Sequence, residues 1–289
     1  MEAYFGPAGN GQSFKELGYR HTIQAPEYLS TFQLNAYEYQ CGRGVRISQE
    51  KAAAFGDEAR KWRIRLSLHA PYYISLSSVE KEKRDNSIEY ILQSAQAAKA
   101  MGAKRVVVHT GSCAKISREE ALGLAKDTLL RALMELDKAN LGDVTICPET
   151  MGKINQLGTL DEVIALCSLD ERLLPCIDFG HLNARTFGGL QTIDDFALIL
   201  DKIENHLGYE RLMHFHAHFS KIEYTQKGGE KCHLTFEDQT YGPCFEPLAE
   251  LLVKRSLFPT IICESAGTQA EDARTMRQIY LQSMQTLSK

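Results

Sequence analysis

Short apolar runs alternate with longer amphipathic stretches from one end of the chain to the other. Strands are predicted at 2–9, 32–40, 64–71, 105–111, 144–150, 174–181, 212–220 and 260–267. These runs are rich in β-branched or aromatic residues and mostly end in Gly, Pro or Ser, which is how strands buried in a parallel sheet read. Apolar residues at three- and four-residue spacing predict helices at 87–103, 118–139, 245–256 and 270–287. Ser117 with Glu120, and Thr159 with Glu162, are helix-start pairs that place acids in a first turn. Eight strand–helix units in 289 residues average about 36 residues each, the size expected of a (β/α)8 TIM barrel. The first turn reads Gly6-Pro7-Ala8-Gly9-Asn10-Gly11, which does not fit the dinucleotide fingerprint of a doubly wound sheet. One barrel domain over 1–289 is therefore expected, with 220–243 as its single long, polar, strand-poor connection.

Composition narrows the function without naming it. With 33 Lys and Arg against 37 Asp and Glu, the net charge of −4 excludes a strongly basic nucleic-acid binder. A local basic groove or a bound divalent metal could still meet phosphate. The eight cysteines form no CxxC pair, which argues against a zinc ribbon and for reduced, buried thiols. The start of the chain lacks the basic and apolar regions of a signal peptide, and no apolar run approaches the ~20 residues of a membrane span. A cytoplasmic monomer with no membrane partner and no organic cofactor is expected.

Barrel enzymes carry their chemistry at the carboxyl ends of the strands. Six consecutive predicted strands end in a metal-type ligand: His69, His109, Glu149, Asp178, His216 and Glu264, with His181 just beyond Asp178. One such residue means little, because a capped loop or a satisfied core histidine explains it. Six on one rim would be very costly to bury without a cation. Mixed N and O ligands suit Zn²⁺, Mn²⁺ or Fe²⁺, and so many ligands call for at least two ions, with Glu149 well placed to bridge them. Strand alternation then sets Ser67, Val107, Cys147, Cys176, His214 and Ile262 one layer below, assigning Cys147 and Cys176 to packing. Of the three histidines on the seventh strand, His216 is read as the ligand and His214 as a core residue, with His218 unassigned. Tyr72 and Tyr73 either stack on a base or sugar or simply pack. Arg43 and Arg46 either grip phosphate or lie on a solvated turn.

The ordered segments LHAPYYISL, VVVHTGS, ICPETMGK, CIDFGHLNAR, HFHAHFSK and IICESAG resemble the endonuclease IV family of apurinic/apyrimidinic endonucleases, within the xylose isomerase-like TIM barrels. The resemblance runs from about residue 60 to 267. It implies a cluster of two or three metal ions, chiefly zinc, that hydrolyses the phosphodiester 5′ to an abasic site in DNA. By matching position, His69 and His109 would hold the first metal, and Glu149, the central catalytic residue, would bridge the first pair. Asp178, His216 and Glu264 would complete the second, and His181 would serve the third. Tyr72 falls where the family has a tyrosine near the damaged nucleotide. Two departures stand out. The family's Asp-x-His pair after the seventh strand is here Glu230-Lys231-Cys232-His233, so Glu230 and His233 are its counterparts at wider spacing. The family's basic, polar loop after the second strand is replaced by a segment with acidic Glu38, which counts against duplex DNA.

Two other classes compete. A sugar isomerase or epimerase of the same barrel group would use Glu149, Asp178, His216 and Glu264 on one ion, with Glu149 and Glu264 as the proton-transfer pair. The presence of both His69 and His109, which one ion does not need, favours the nuclease. A barrel that binds metal or nucleic acid without catalysis is disfavoured by the near-complete ligand set.

Overall fold

All eight predicted strands are present and close into a parallel barrel. The computed structural model describes residues 2–287. Its strands are β1 (Tyr4–Pro7), β2 (Ala36–Gln40), β3 (Arg65–His69), β4 (Arg105–Val108), β5 (Thr145–Pro148), β6 (Cys176–Asp178), β7 (His216–Phe219), β8 (Ile222–Thr225), β9 (Gly229–His233) and β10 (Thr260–Cys263). Two four-stranded arcs, β2-β3-β4-β5 and β6-β7-β10-β1, form continuous parallel ladders. They are joined at two seams by single parallel bridges, Ala8 to Glu38 and Glu149 to Cys176. At these seams Gly9 N donates to Glu38 O at 2.9 Å and Thr150 N to Cys176 O at 3.0 Å.

Helices wrap the outside because their apolar faces match the outward residues of the strands. Both predicted start pairs form reciprocal caps. Ser117 Oγ accepts from Glu120 N at 3.2 Å while Glu120 accepts from Ser117 N, and Thr159 pairs with Glu162 in the same way. Each such cap is worth about 1 kcal/mol. Val107, Cys147, Leu174 and Cys176 pack as a small buried group apart from the main core. No helix among the described residues is long and apolar enough to cross a membrane.

The structure corrects three expectations. The connection 220–243 is not strand-poor, because it carries the antiparallel hairpin β8–β9; the Gly228-Gly229 turn between short β-prone runs is its signal. His214 is not a core histidine. It is only half-buried, in the turn after the helix Tyr209–Met213, because that helix takes residues read as the start of the seventh strand. Glu38 does not sit in a rim loop; it lies within β2, fully buried, and faces the barrel interior.

The β1–β2 seam depends on a missing side chain. A Cβ on Gly6 would sit 1.8 Å from the Ala36 carbonyl oxygen, whereas one on Gly123, exposed in the helix Arg118–Lys138, would meet nothing within 4 Å. Gly6→Ala should therefore destabilise the protein by about 3 kcal/mol or more in urea unfolding. Gly123→Ala should stabilise it by about 0.5–1 kcal/mol through helix propensity. Equal effects of the two substitutions would contradict this account of the seam.

Candidate metal centre

Each strand delivers its chemistry where it stops. His69 closes β3, while His109, Glu149 and Glu264 directly follow β4, β5 and β10. Asp178 ends β6 and caps the helix Phe179–Arg185, accepting from His181 N at 2.7 Å. That cap brings His181 back over the same rim.

Glu149 is the meeting point. Its Oε2 lies 3.3 Å from both His69 Nε2 and His109 Nε2. Its Oε1 lies 2.9 Å from His218 Nδ1. The two oxygens of one buried carboxylate thus face different sets of imidazoles. Glu149, Asp178, His218 and Glu264 bring four ligand atoms within 4.8 Å of one another, as do His69, Glu149 and His218. A third group, His181, Glu230 and His233, lies beside them.

The second set contains His218 where the sequence pointed to His216. The reason is register. His216 is the first residue of β7, paired with Cys176 and Thr260, whereas His218 is level with Asp178 and Ile262. His216 lies one layer deeper, with Nε2 2.9 Å from Glu38 Oε2, and groups with Cys176 and His218. Counting strand ends from sequence set β7 one layer too low, because the helix before it was not visible. Glu38 was missed as an interior residue, because the flanking Tyr37 and Tyr39 mark the alternation of β2 but not which of its faces turns inward.

The wider spacing of Glu230 and His233 is absorbed by a bulge. Tyr224 pairs with Glu230 and Glu223 with Cys232, so Lys231 is one residue too many in β9. The extra residue restores alternation across the gap and turns Glu230 and His233 to the same side. Lys231 and Cys232 share the other side, both reaching Glu223, at 2.7 and 3.4 Å. On the inner side His181 Nε2 is 3.5 Å from Glu230 Oε2, and the His181 and His233 rings are 5.6 Å apart.

Backbone carbonyls fix two of the rings. His69 Nδ1 donates to Ala70 O at 2.8 Å and His181 Nδ1 to Thr150 O at 2.9 Å. Both leave Nε2 facing the carboxylates, the arrangement in which an outer partner sets the tautomer of a metal-binding imidazole. Tyr72 and Tyr73 are each 54% exposed, and Arg43 and Arg46 are exposed on the loop after β2.

The charges here are out of balance in a way that fits metal. Burial pushes Asp178 up to about 6, with Glu264 and Glu149 adding to the rise against His181. Its buried Oδ2 accepts no hydrogen bond from a described residue. For Glu149 burial is outweighed by His218, His109 and His69, which hold it well below the usual carboxylate range. For His69 and His181 burial is outweighed by the surrounding carboxylates, Glu149 for the first and Asp178 and Glu230 for the second, and both rise to about 9. Imidazolium ions thus do what cations would do in their place. The mixed imidazole and carboxylate donors suit Zn²⁺, Mn²⁺ or Fe²⁺.

Two outcomes follow. Because the protons on His69 and His181 persist to about pH 9 in the metal-free protein, cation uptake at pH 7 should release protons, and apparent affinity should rise from pH 6 towards 9. Zinc titration against a chromophoric chelator checks this, and an affinity independent of pH would contradict it. In the same titration His218→Asn should weaken uptake by at least about 10-fold more than His216→Asn. The reverse order would restore His216 as the ligand.

Comparison with known proteins agrees with the fold. A family model described as xylose isomerase-like TIM barrel matches residues 27–286. An uncharacterized protein of Methanocaldococcus jannaschii is 36% identical over 246 residues, covering 84% of this chain and 86% of its own length. A Mycoplasma pneumoniae protein named "Probable endonuclease 4" is 33% identical over 159 residues, and the match spans 53% of this chain and 52% of that protein. Among solved structures, a D-tagatose 3-epimerase-like protein superposes with a TM-score of 0.71 at 18% identity, covering 91% of this chain and 94% of that one. Endonuclease IV from Thermus thermophilus superposes with a TM-score of 0.69 at 18% identity, covering 98% and 99%. From its sequence match and its closed eight-stranded barrel, the chain belongs to the xylose isomerase-like TIM barrel family.

Proposed function

We propose that this protein is a metal-dependent phosphodiesterase that hydrolyses DNA on the 5′ side of abasic sites. The observation that carries the reading is the two-sided environment of Glu149, with His69 and His109 at one oxygen and His218 at the other. That geometry suits a carboxylate bridging two ions. His69 and His109 with Glu149 would hold one ion, and Glu149, Asp178, His218 and Glu264 a second. His181, Glu230 and His233 would hold a third. Divalent cations bound there supply a nucleophile from water at neutral pH and neutralise the charge that builds on a phosphodiester during displacement.

The chain's own part is placement. Ala70 O and Thr150 O lock the His69 and His181 rings, so no side-chain reorganisation is needed when substrate arrives. Burial of Glu149 and Asp178 keeps water from screening the cluster. Tyr72 and Tyr73 offer exposed aromatic faces at the mouth, suited to stacking on a base or on the sugar next to a missing base. With Glu38 inside the barrel, its charge no longer stands against DNA at the rim. The partial match to the protein named "Probable endonuclease 4" supports the same reading.

A second reading has its own support. Glu149, Asp178, His218 and Glu264 form a complete set for one ion, and the D-tagatose 3-epimerase-like protein shares the fold. A sugar epimerase would use two of these carboxylates for proton transfer, but it leaves His69 and His109 without a task.

The deciding assay is cleavage of an end-labelled duplex with one abasic-site analogue, by protein of measured metal content. Single incision 5′ to the site is expected. His69→Ala/His109→Ala should lower its rate by at least about 100-fold, since metal stabilisation of the transition state is worth several kcal/mol. Metal-loaded protein that leaves the duplex intact while epimerising ketoses would overturn the nuclease in favour of the epimerase.

A further inference from the structure

One buried carboxylate has no task in the cluster described above. Glu38 faces the barrel interior from the middle of β2, while Tyr37 and Tyr39 on either side pack outward against Phe55. Its Oε2 accepts from Ser67 Oγ at 2.8 Å and from His216 Nε2 at 2.9 Å. Its Oε1 accepts from Gln40 Nε2 at 3.2 Å and also lies 2.9 Å from His218 Nε2, off the line of that N–H. A carboxylate of this size left alone in a barrel core would be strongly destabilising, so its partners define what it does.

His218 stands between two acids. Its Nδ1 is 2.9 Å from Glu149 Oε1 and 3.6 Å from Glu264 Oε1, while its Nε2 meets Glu38. Nδ1 is in hydrogen-bond geometry with Glu149, whereas Nε2 is close to Glu38 but off its line; with an acid beside each nitrogen, the ring is stabilised by a proton or a cation in the gap on each side. The two gaps are not equivalent. The one at Nδ1 is shared with ligand atoms of Glu149, Asp178 and Glu264, enough donors to surround an ion. The one at Nε2 is backed by Glu38, which Ser67 and His216 already brace from the other side.

We propose that Glu38 is a positioning residue for the metal centre: it retains the Nε2 proton of His218, so that Nδ1 turns its lone pair to a divalent cation. The inference rests on the metal-centre reading given above. Ser67, Glu38 and His216 then act as a braced layer one step below the ligands, and this gives His216 its role. A carboxylate behind a metal-binding imidazole fixes the ring's tautomer and orientation and raises its basicity. In Glu38→Gln the side-chain volume is kept but the charge is lost. An amide N–H turned towards His218 Nε2 would favour the opposite tautomer, with the proton on Nδ1 where the cation belongs.

The test uses the full chain loaded with zinc and ¹⁵N-labelled at histidine. In the wild type, His218 should show a protonated Nε2 and a zinc-bound Nδ1. Glu38→Gln should weaken zinc binding by about 10- to 100-fold and lose that tautomer signature, with an unchanged circular dichroism spectrum. Wild-type zinc affinity and tautomer in Glu38→Gln would overturn the role of Glu38 while leaving the metal centre standing. Wild-type protein that takes up no zinc, manganese or iron would overturn the metal-centre reading and this role together. Should Glu38→Gln not fold, the wild-type spectrum decides, since His218 bound through Nε2 would overturn the proposal.

Discussion

Carboxylates gathered at one end of a barrel have to be neutralised, and the rest of this structure is arranged around that requirement. Glu38, Glu149 and Asp178 are fully buried, and Glu264 stands close by. In water each would be ionised at little cost; out of water each needs a proton, a positive partner or a metal. Imidazoles from strand ends and from the helix Phe179–Arg185 meet part of the demand, and the surrounding carboxylates raise the pKa of His69 and His181 to about 9. Asp178 is only partly met: its Oδ2 lies 3.2 Å from His181 Nδ1 without a well-formed hydrogen bond, and burial still pushes the group towards its neutral form. A site that is electrostatically incomplete in this way is shaped for cations.

The scaffold holds this incomplete site open by rigidity elsewhere. The strands are short, three to five residues each, and the interior below the ligands is filled by side chains. Val107, Cys147, Leu174 and Cys176 supply an apolar part of that filling. Ser67, Glu38 and His216 supply a hydrogen-bonded part. Glycine at position 6 lets β1 approach β2 closely enough to seal the ring. Outside the barrel, Arg185 donates to the carbonyls of Met151, Lys153 and Gln156, tying down the loop that follows Glu149. The hairpin β8–β9 leans on the same loop through the Lys153–Gly229 bridge. The third histidine group therefore belongs to the architecture of the first two.

Most of the architecture was legible because it follows from periodicity. Eight apolar runs alternating with amphipathic ones define a (β/α)8 barrel, and capping pairs such as Ser117 with Glu120 read directly from residue types. The rule that strand ends carry chemistry needs only the strand ends, and it points to His69, His109, Glu149, Asp178 and Glu264, which the fold gathers at one rim. It failed at β7, where His214, His216 and His218 share one parity and only the register with Cys176 and Asp178 separates them. Register is a tertiary property, set by neighbouring strands, and a single strand's pattern does not contain it. Glu38 was hidden for a related reason. An acid in a tyrosine-rich strand reads as solvent-facing until its partners from strands far along the chain are known. The Glu230–His233 spacing looked like a defect because a bulge cannot be counted from sequence without knowing which strand it faces.

The central claim is that Glu149 stands between two metal ions at the carboxyl rim. Anomalous diffraction at the zinc edge, from crystals of the zinc-loaded protein, tests it most directly. The account predicts at least two peaks, one beside His69 and His109 and another beside Asp178, His218 and Glu264, with an oxygen of Glu149 within ligand distance of each. A single peak on the second set, with His69 and His109 unligated, would contradict it.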